Sequence, residues 1–123
     1  MIRFPAIKRA NTILYCRRWE PTVMFYRDRL GLEIAYQCDW LVEFHLCSTS
    51  YLSVADQSRA SIPSAEGKGI TLSFEIDHLS EIHRSFTESG LAPTAIRPWV
   101  MGADVFYLFD PEGNRIEFWC PCP

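Results

Sequence analysis

The stretch FYLFDPEGNRIEFW, Phe106 to Trp119, decides how the rest of the chain is read. Asp110-Pro111-Glu112-Gly113-Asn114 is a strong turn signal: Pro111 presets φ for the second turn position, and Gly113 and Asn114 tolerate positive φ. The apolar runs on either side therefore predict a β-hairpin. In its second arm Ile116 and Phe118 point one way and Arg115, Glu117 and Trp119 the other, because side chains alternate along a strand. Glu117 thus faces away from whatever Ile116 and Phe118 bury.

Working outward, the hairpin closes the second of two similar units. Asn11 to Cys16 reads as a strand, followed by a helix opened by Pro21 near its first position and stopped by Gly31. Trp19, Thr22, Tyr26 and Leu30 recur on it at helical spacing. Later come the strand TLSFEI, Thr71 to Ile76, and the helix LSEIHRSFTESG, with Leu79, Ile82 and Phe86 at the same offsets and Gly90 as its stop. A shift of about sixty positions superposes the two patterns, a repeat of element order without residue identity. After the first helix come EIAYQ, WLVEFHLC and YLSVA; after the second come TAIRPW, ADVFYLF and RIEFW. This predicts βαβββ twice in a single α+β domain over 1–123, with module 1 at about 8–56, a polar linker at about 57–68 and module 2 at about 69–120.

Composition narrows the class of function. With 123 residues, 48% of them hydrophobic, the chain can bury a real core. A formal net charge of −3, with no long basic run, argues against a nucleic-acid partner. No apolar run approaches the roughly 18 residues needed to cross a bilayer, and the first residues carry no signal-peptide core, so no membrane partner and a cytoplasmic location are expected. The five cysteines, Cys16, Cys38, Cys47, Cys120 and Cys122, are odd in number and scattered, as suits reduced thiols. CPCP, Cys120 to Pro123, is spaced C-x-C and does not match a zinc knuckle or a C-x-x-C redox motif.

Alternation also assigns the two sheet faces. Leu72, Phe74 and Ile76 belong to the helix side, leaving Thr71, Ser73 and Glu75 on the far side with Glu117. Asn11, Ile13, Tyr15, Glu43, His45, Tyr51 and Ser53 join that far face by the same parity. An open antiparallel sheet can simply show a polar face to water, but a surface that mixes Tyr15, Tyr51, Tyr107 and Trp119 with polar groups is expected to mark a ligand groove or a subunit interface. RPWVMGA, Arg97 to Ala103, is expected to form a lip, with Arg97 able to attract an anion, Trp99 to stack and Met101 to adapt.

FYRDRLGLE, Phe25 to Glu33, and the closing hairpin resemble the corresponding stretches of the vicinal oxygen chelate superfamily, which includes glyoxalase I, bleomycin-resistance proteins and extradiol dioxygenases. With the duplication, the resemblance covers nearly the whole chain. It implies paired βαβββ modules forming a U-shaped, cup-like mixed sheet with helices on the outer face, commonly in a homodimer, with the ligand in the cup. In metal-dependent members a His stands on the first strand of each module and a Glu on the last strand of the second. Glu117 matches that Glu, but Asn11 and Thr71 occupy the two His positions.

Asn and Thr oxygens are weak ligands for the transition metals such sites hold. No metal ligands and no cofactor are therefore expected. The leading expectation is a protein, nearest to the bleomycin-resistance branch, that binds a small aromatic or amphipathic molecule through Asn11, Tyr15, His45, Thr71, Ser73, Arg97, Trp99, Met101, Tyr107, Glu117 and Trp119. Glu117 is either a catalytic general base or ligand anchor, or a structural carboxylate paired with Arg115, Arg97 or a tyrosine hydroxyl. The rival is a metal-dependent lyase, isomerase or dioxygenase using Glu117 as ligand. A third reading makes the aromatic face a dimer interface with no ligand.

Overall fold

The hairpin forms as its turn residues dictate. In the computed structural model, which describes residues 3–122, Asp110 Oδ1 accepts from the backbone N–H groups of Glu112 and Asn114, both at 2.9 Å. Its Oδ2 accepts from the Asn114 side-chain amide at 2.8 Å. A carboxylate that gathers three donors replaces the backbone partners a tight turn cannot supply. Gly113 adopts φ +95°, and a Cβ placed on Gly67 would meet the Gly113 carbonyl oxygen at 2.1 Å, so the turn packs against bare backbone.

The elements run β1 (Ala10–Cys16), α1 (Trp19–Met24), a π-helical turn (Phe25–Arg29), β2 (Glu33–Gln37), β3 (Leu41–Cys47) and β4 (Ser50–Asp56), then β5 (Thr71–Glu75), α2 (Leu79–Glu88), β6 (Arg97–Pro98), β7 (Ala103–Phe109) and β8 (Arg115–Pro121). They form two compact units that divide between Glu66 and Gly67. Each is a βαβββ module with an open four-stranded mixed sheet, ordered β1-β4-β3-β2 in the first and β5-β8-β7-β6 in the second. The parallel pairs are β1 with β4 and β5 with β8; the other pairings are antiparallel. This is the α+β class expected.

In the first unit Leu14, Cys16, Val42, Phe44, Leu52 and Val54 are buried on one face, with Thr22 and Tyr26 of the helical segment. The helical stripe holds in part. Leu30 N–H bonds to Phe25 O at 2.9 Å, an i to i+5 bond, and this wide turn brings both Phe25 and Tyr26 inside, their rings edge to face at 5.2 Å. A uniform period of 3.6 would have left Phe25 outside the stripe. Pro21 is third in α1, where its missing N–H is still one of the first-turn groups without an intrahelical partner.

In the second unit Leu72, Phe106, Leu108, Ile116 and Phe118 are buried with Leu79 of α2. Phe106 stacks on Phe118 at 5.3 Å, and Phe86 of α2 meets Phe118 edge on at 5.4 Å. Each such aromatic contributes about 1.5–3 kcal/mol through burial.

His83, on a helix turn where solvent exposure is the default for a histidine, is half-buried: its Nε2 lies 2.9 Å from Thr94 O and its ring meets Phe106 at 5.0 Å. TAIRPW pairs as strand only at Arg97–Pro98. Pro93 and Pro98 offer no N–H to a ladder, and Thr94 is held by its backbone N–H to Tyr107 O (2.9 Å) and by its Oγ1, which accepts from Tyr107 N–H (2.8 Å).

Candidate functional site

Glu117 lies on β8 opposite Tyr107 of β7 and Ser73 of β5, all on the face turned away from α2. It is 6% exposed, and its Oε1 accepts a hydrogen bond from the Ser73 hydroxyl at 2.5 Å. Neither Arg115 nor Arg97 is its partner. Arg115 instead donates from Nε to Thr71 Oγ1 at 3.0 Å and lays its guanidinium over the Tyr107 ring, 4.5 Å from the centroid. Trp119 follows on the same face, its ring 5.6 Å from that of Trp99. Beside Thr71 and Arg115 opens a cavity of about 350 Å³, completed by Phe109, Ile70 and the backbone of Gly67, Gly69 and Gly113. Five of the expected residues, Thr71, Ser73, Tyr107, Glu117 and Trp119, thus share one face, with the Trp99 ring tilted at 58° against that of Trp119.

The loop expected as a lip is a short 3₁₀ turn, Val100–Gly102, with Met101 at φ 59° and 98% exposed. Arg97, opposite Val105, is exposed as well.

The first unit gathers a different set. Asn11 Oδ1 accepts from the buried Ser53 hydroxyl at 3.0 Å, and Asn11 Nδ2 reaches Glu43 Oε2 at 3.4 Å. Glu43 Oε1 also accepts from Arg9, whose guanidinium covers the Tyr51 ring at 3.6 Å. That hydrogen bond holds the Arg9 pKa above its ordinary range. His45 Nε2 lies 2.9 Å from Ser48 O, and its ring meets Tyr51 at 5.3 Å. Tyr15 is half-buried on β1, two residues beyond Ile13 on the same side. Arg9 was missed because it precedes the strand; the parity that put Asn11 on this face applies to it equally.

The resemblance implies a metal in some members, and the donors here do not fit one. Asn11 Oδ1, Thr71 Oγ1 and Glu117 Oε1 each already accept a side-chain hydrogen bond. Among the described residues no three His, Cys, Asp or Glu side chains gather in a way that could hold a metal ion. An amide and a hydroxyl do not replace the imidazoles such ions prefer.

Two βαβββ modules, each with a parallel first-to-last strand pair, define a paired-module class of α+β protein. Residues 8–118 match the family model of the Glyoxalase/Bleomycin resistance protein/Dioxygenase superfamily, and the chain belongs to that family. It is similar in fold to a lactoylglutathione lyase from Agrobacterium tumefaciens (24% identity, TM-score 0.76, 95% of this chain and 96% of that one). A glyoxalase/bleomycin resistance protein/dioxygenase from Nocardioides is likewise similar (17%, 0.75, 98% and 85%), as is a glyoxalase family protein from Enterococcus faecalis (22%, 0.69, 94% and 98%). Comparison with curated proteins returned no match. Among the described residues no helix is long and apolar enough to cross a membrane.

Proposed function

We propose that this chain binds a small organic molecule with an aromatic or amphipathic body on the sheet face that carries Glu117, without a metal. The observation that supports this most is the Glu117 carboxylate itself: nearly buried, bonded to a neutral hydroxyl, and flanked by Tyr107 and Trp119. A buried carboxylate without a cationic partner is costly to keep, and sites of binding or proton transfer are where proteins retain such groups. Tyr107, Trp119 and Trp99 supply stacking area, Thr71 and Ser73 hydroxyl contacts, and Glu117 an acceptor that can also take a proton from a bound molecule. Arg97 and Met101 are proposed as further contacts from the exposed turn of the second unit, and Asn11, Tyr15 and His45 as ligand contacts on the first unit's own sheet face.

The metal-assisted lyase, isomerase or dioxygenase reading needs donors that Asn11 and Thr71 do not provide. A homodimer working in the cytoplasm completes the proposal, checked by light scattering at micromolar concentration. The binding claim itself is tested with a library of neutral, cationic and anionic aromatic fragments screened by thermal shift. Hits that quench tryptophan fluorescence and weaken at least tenfold in Glu117→Gln and Trp119→Ala support it. Hits indifferent to both substitutions place the ligand elsewhere and refute it.

A further inference from the structure

Cys120-Pro121-Cys122 lies on the opposite side of the second sheet from Glu117. Cys120 shares the helix-side parity of Phe118 and stands opposite Asp104 in register. The Cys122 N–H continues the ladder to Gly102 O at 3.0 Å, so its side chain projects the same way. Both thiols line a cavity of about 260 Å³ with Asp104 and with His78, Ser80 and Glu81 at the start of α2. Its lining thus includes two cysteines, two acidic residues and a histidine, and among the described residues no Lys or Arg. Cys122 is exposed and Cys120 half-buried, and the Cys120 thiol donates to Pro121 O at 3.5 Å.

We propose that Cys120 and Cys122 bind one soft monovalent d¹⁰ cation, Cu(I), between their two sulfurs. Thiolates select soft ions, and the carboxylates of Asp104 and Glu81 lend the cavity a potential that favours a cation. Asp104, Glu81 and His78 line the same cavity, but among the described residues no three His, Cys, Asp or Glu side chains gather in a way that could hold one ion, so the tetrahedral set that zinc requires is not assembled, whereas Cu(I) is satisfied by two sulfurs in a near-linear arrangement. A disulfide is the competing fate of a C-x-C pair, and the geometry opposes it. Residues two apart on an extended strand have Cα atoms roughly 6.6–6.8 Å apart, at the far limit for a disulfide. Pro121 and the bond to Gly102 keep the strand extended here. An interposed ion adds two metal–sulfur bonds of about 2.3 Å each and so spans the gap. Binding is balanced by release of two protons: Cu⁺ plus two thiols gives a bis-thiolate complex and two H⁺.

The test uses the fully reduced full-length protein under anaerobic conditions, titrated with Cu(I) in competition with bicinchoninate. The expected result is one Cu(I) held per chain, weakened at least about 100-fold in Cys120→Ser and in Cys122→Ser, and unchanged in Cys38→Ser and Cys47→Ser. Circular dichroism checks that the variants fold, which the exposure of Cys122 favours. Loss of all copper to the competitor, retention in both Cys120→Ser and Cys122→Ser, or one ion shared by two chains in light scattering would each overturn the proposal. So would zinc bound in preference through the same two thiols.

Discussion

Replacing Glu117 by Gln asks whether the carboxylate is kept for stability or for a ligand. Glu117 is 6% exposed, and among the described residues its side chain makes one hydrogen bond, to Ser73. Among those residues no ion pair reaches it: the acidic partners in the four side-chain ion pairs are Glu43, Glu66, Asp28 and Asp39. A buried carboxylate compensated by one hydroxyl carries a desolvation cost that this bond does not offset. Gln has the same shape and keeps an oxygen for Ser73 while removing the charge. Glu117→Gln is therefore expected to leave stability unchanged or raise it by about 1 kcal/mol, roughly 3–5 °C in Tm for a chain of this size. Ser73→Ala should cost about 1.5 kcal/mol in the parent, where the acceptor is charged, and about 0.5 kcal/mol in the Glu117→Gln background. Urea unfolding of the four proteins yields the coupling as a double-mutant cycle, expected near 1 kcal/mol. A loss above about 2 kcal/mol in Glu117→Gln would show a structural carboxylate and refute the reasoning.

Other positions make equally definite predictions. Gly67→Ala, which combines φ +82° with a Cβ 2.1 Å from the Gly113 oxygen, should destabilise by more than about 2 kcal/mol in urea unfolding, whereas Gly31→Ala, with open space around it, should cost only the φ strain of about 1 kcal/mol. Asp110→Ala orphans three donors in a buried turn and should cost about 3 kcal/mol by the same assay, with Asp110→Asn intermediate. The Asp104 carboxylate hydrogen-bonds the Cys122 thiol and holds its pKa above the ordinary thiol value. In Asp104→Asn that pKa falls, so iodoacetamide labelling of Cys122, followed by mass spectrometry, should accelerate at pH 8 and its pH profile should shift to lower pH. An unchanged profile would remove Asp104 as the cause.

The hairpin, the duplication and the two-faced sheets were legible because each rests on a local rule with a fixed period. Asp110 to Asn114 carries its turn in five residues, and the alternation that puts Glu117 opposite Phe118 survives any uncertainty about neighbours. What was hidden depends on partners distant in sequence. The π-helical turn breaks the period between Met24 and Leu30, so burial of both Phe25 and Tyr26 does not follow from helical spacing. His83 is drawn inward by Phe106 and Thr94, neither of which lies near it in the chain. Arg115 was an obvious cation for Glu117 two residues away, yet the Thr71 hydroxyl and the Tyr107 ring take it. The Arg9–Glu43–Asn11–Ser53 network likewise joins four residues from three strands and the segment before them.

The most direct test of the central claim, that Glu117 serves an organic ligand and not a metal, is calorimetric titration of zinc, nickel, manganese and iron(II) into chelator-treated protein and into Glu117→Gln. No binding heat that depends on Glu117 is expected. One equivalent of any of these ions, bound by the parent and abolished in Glu117→Gln, would contradict that claim.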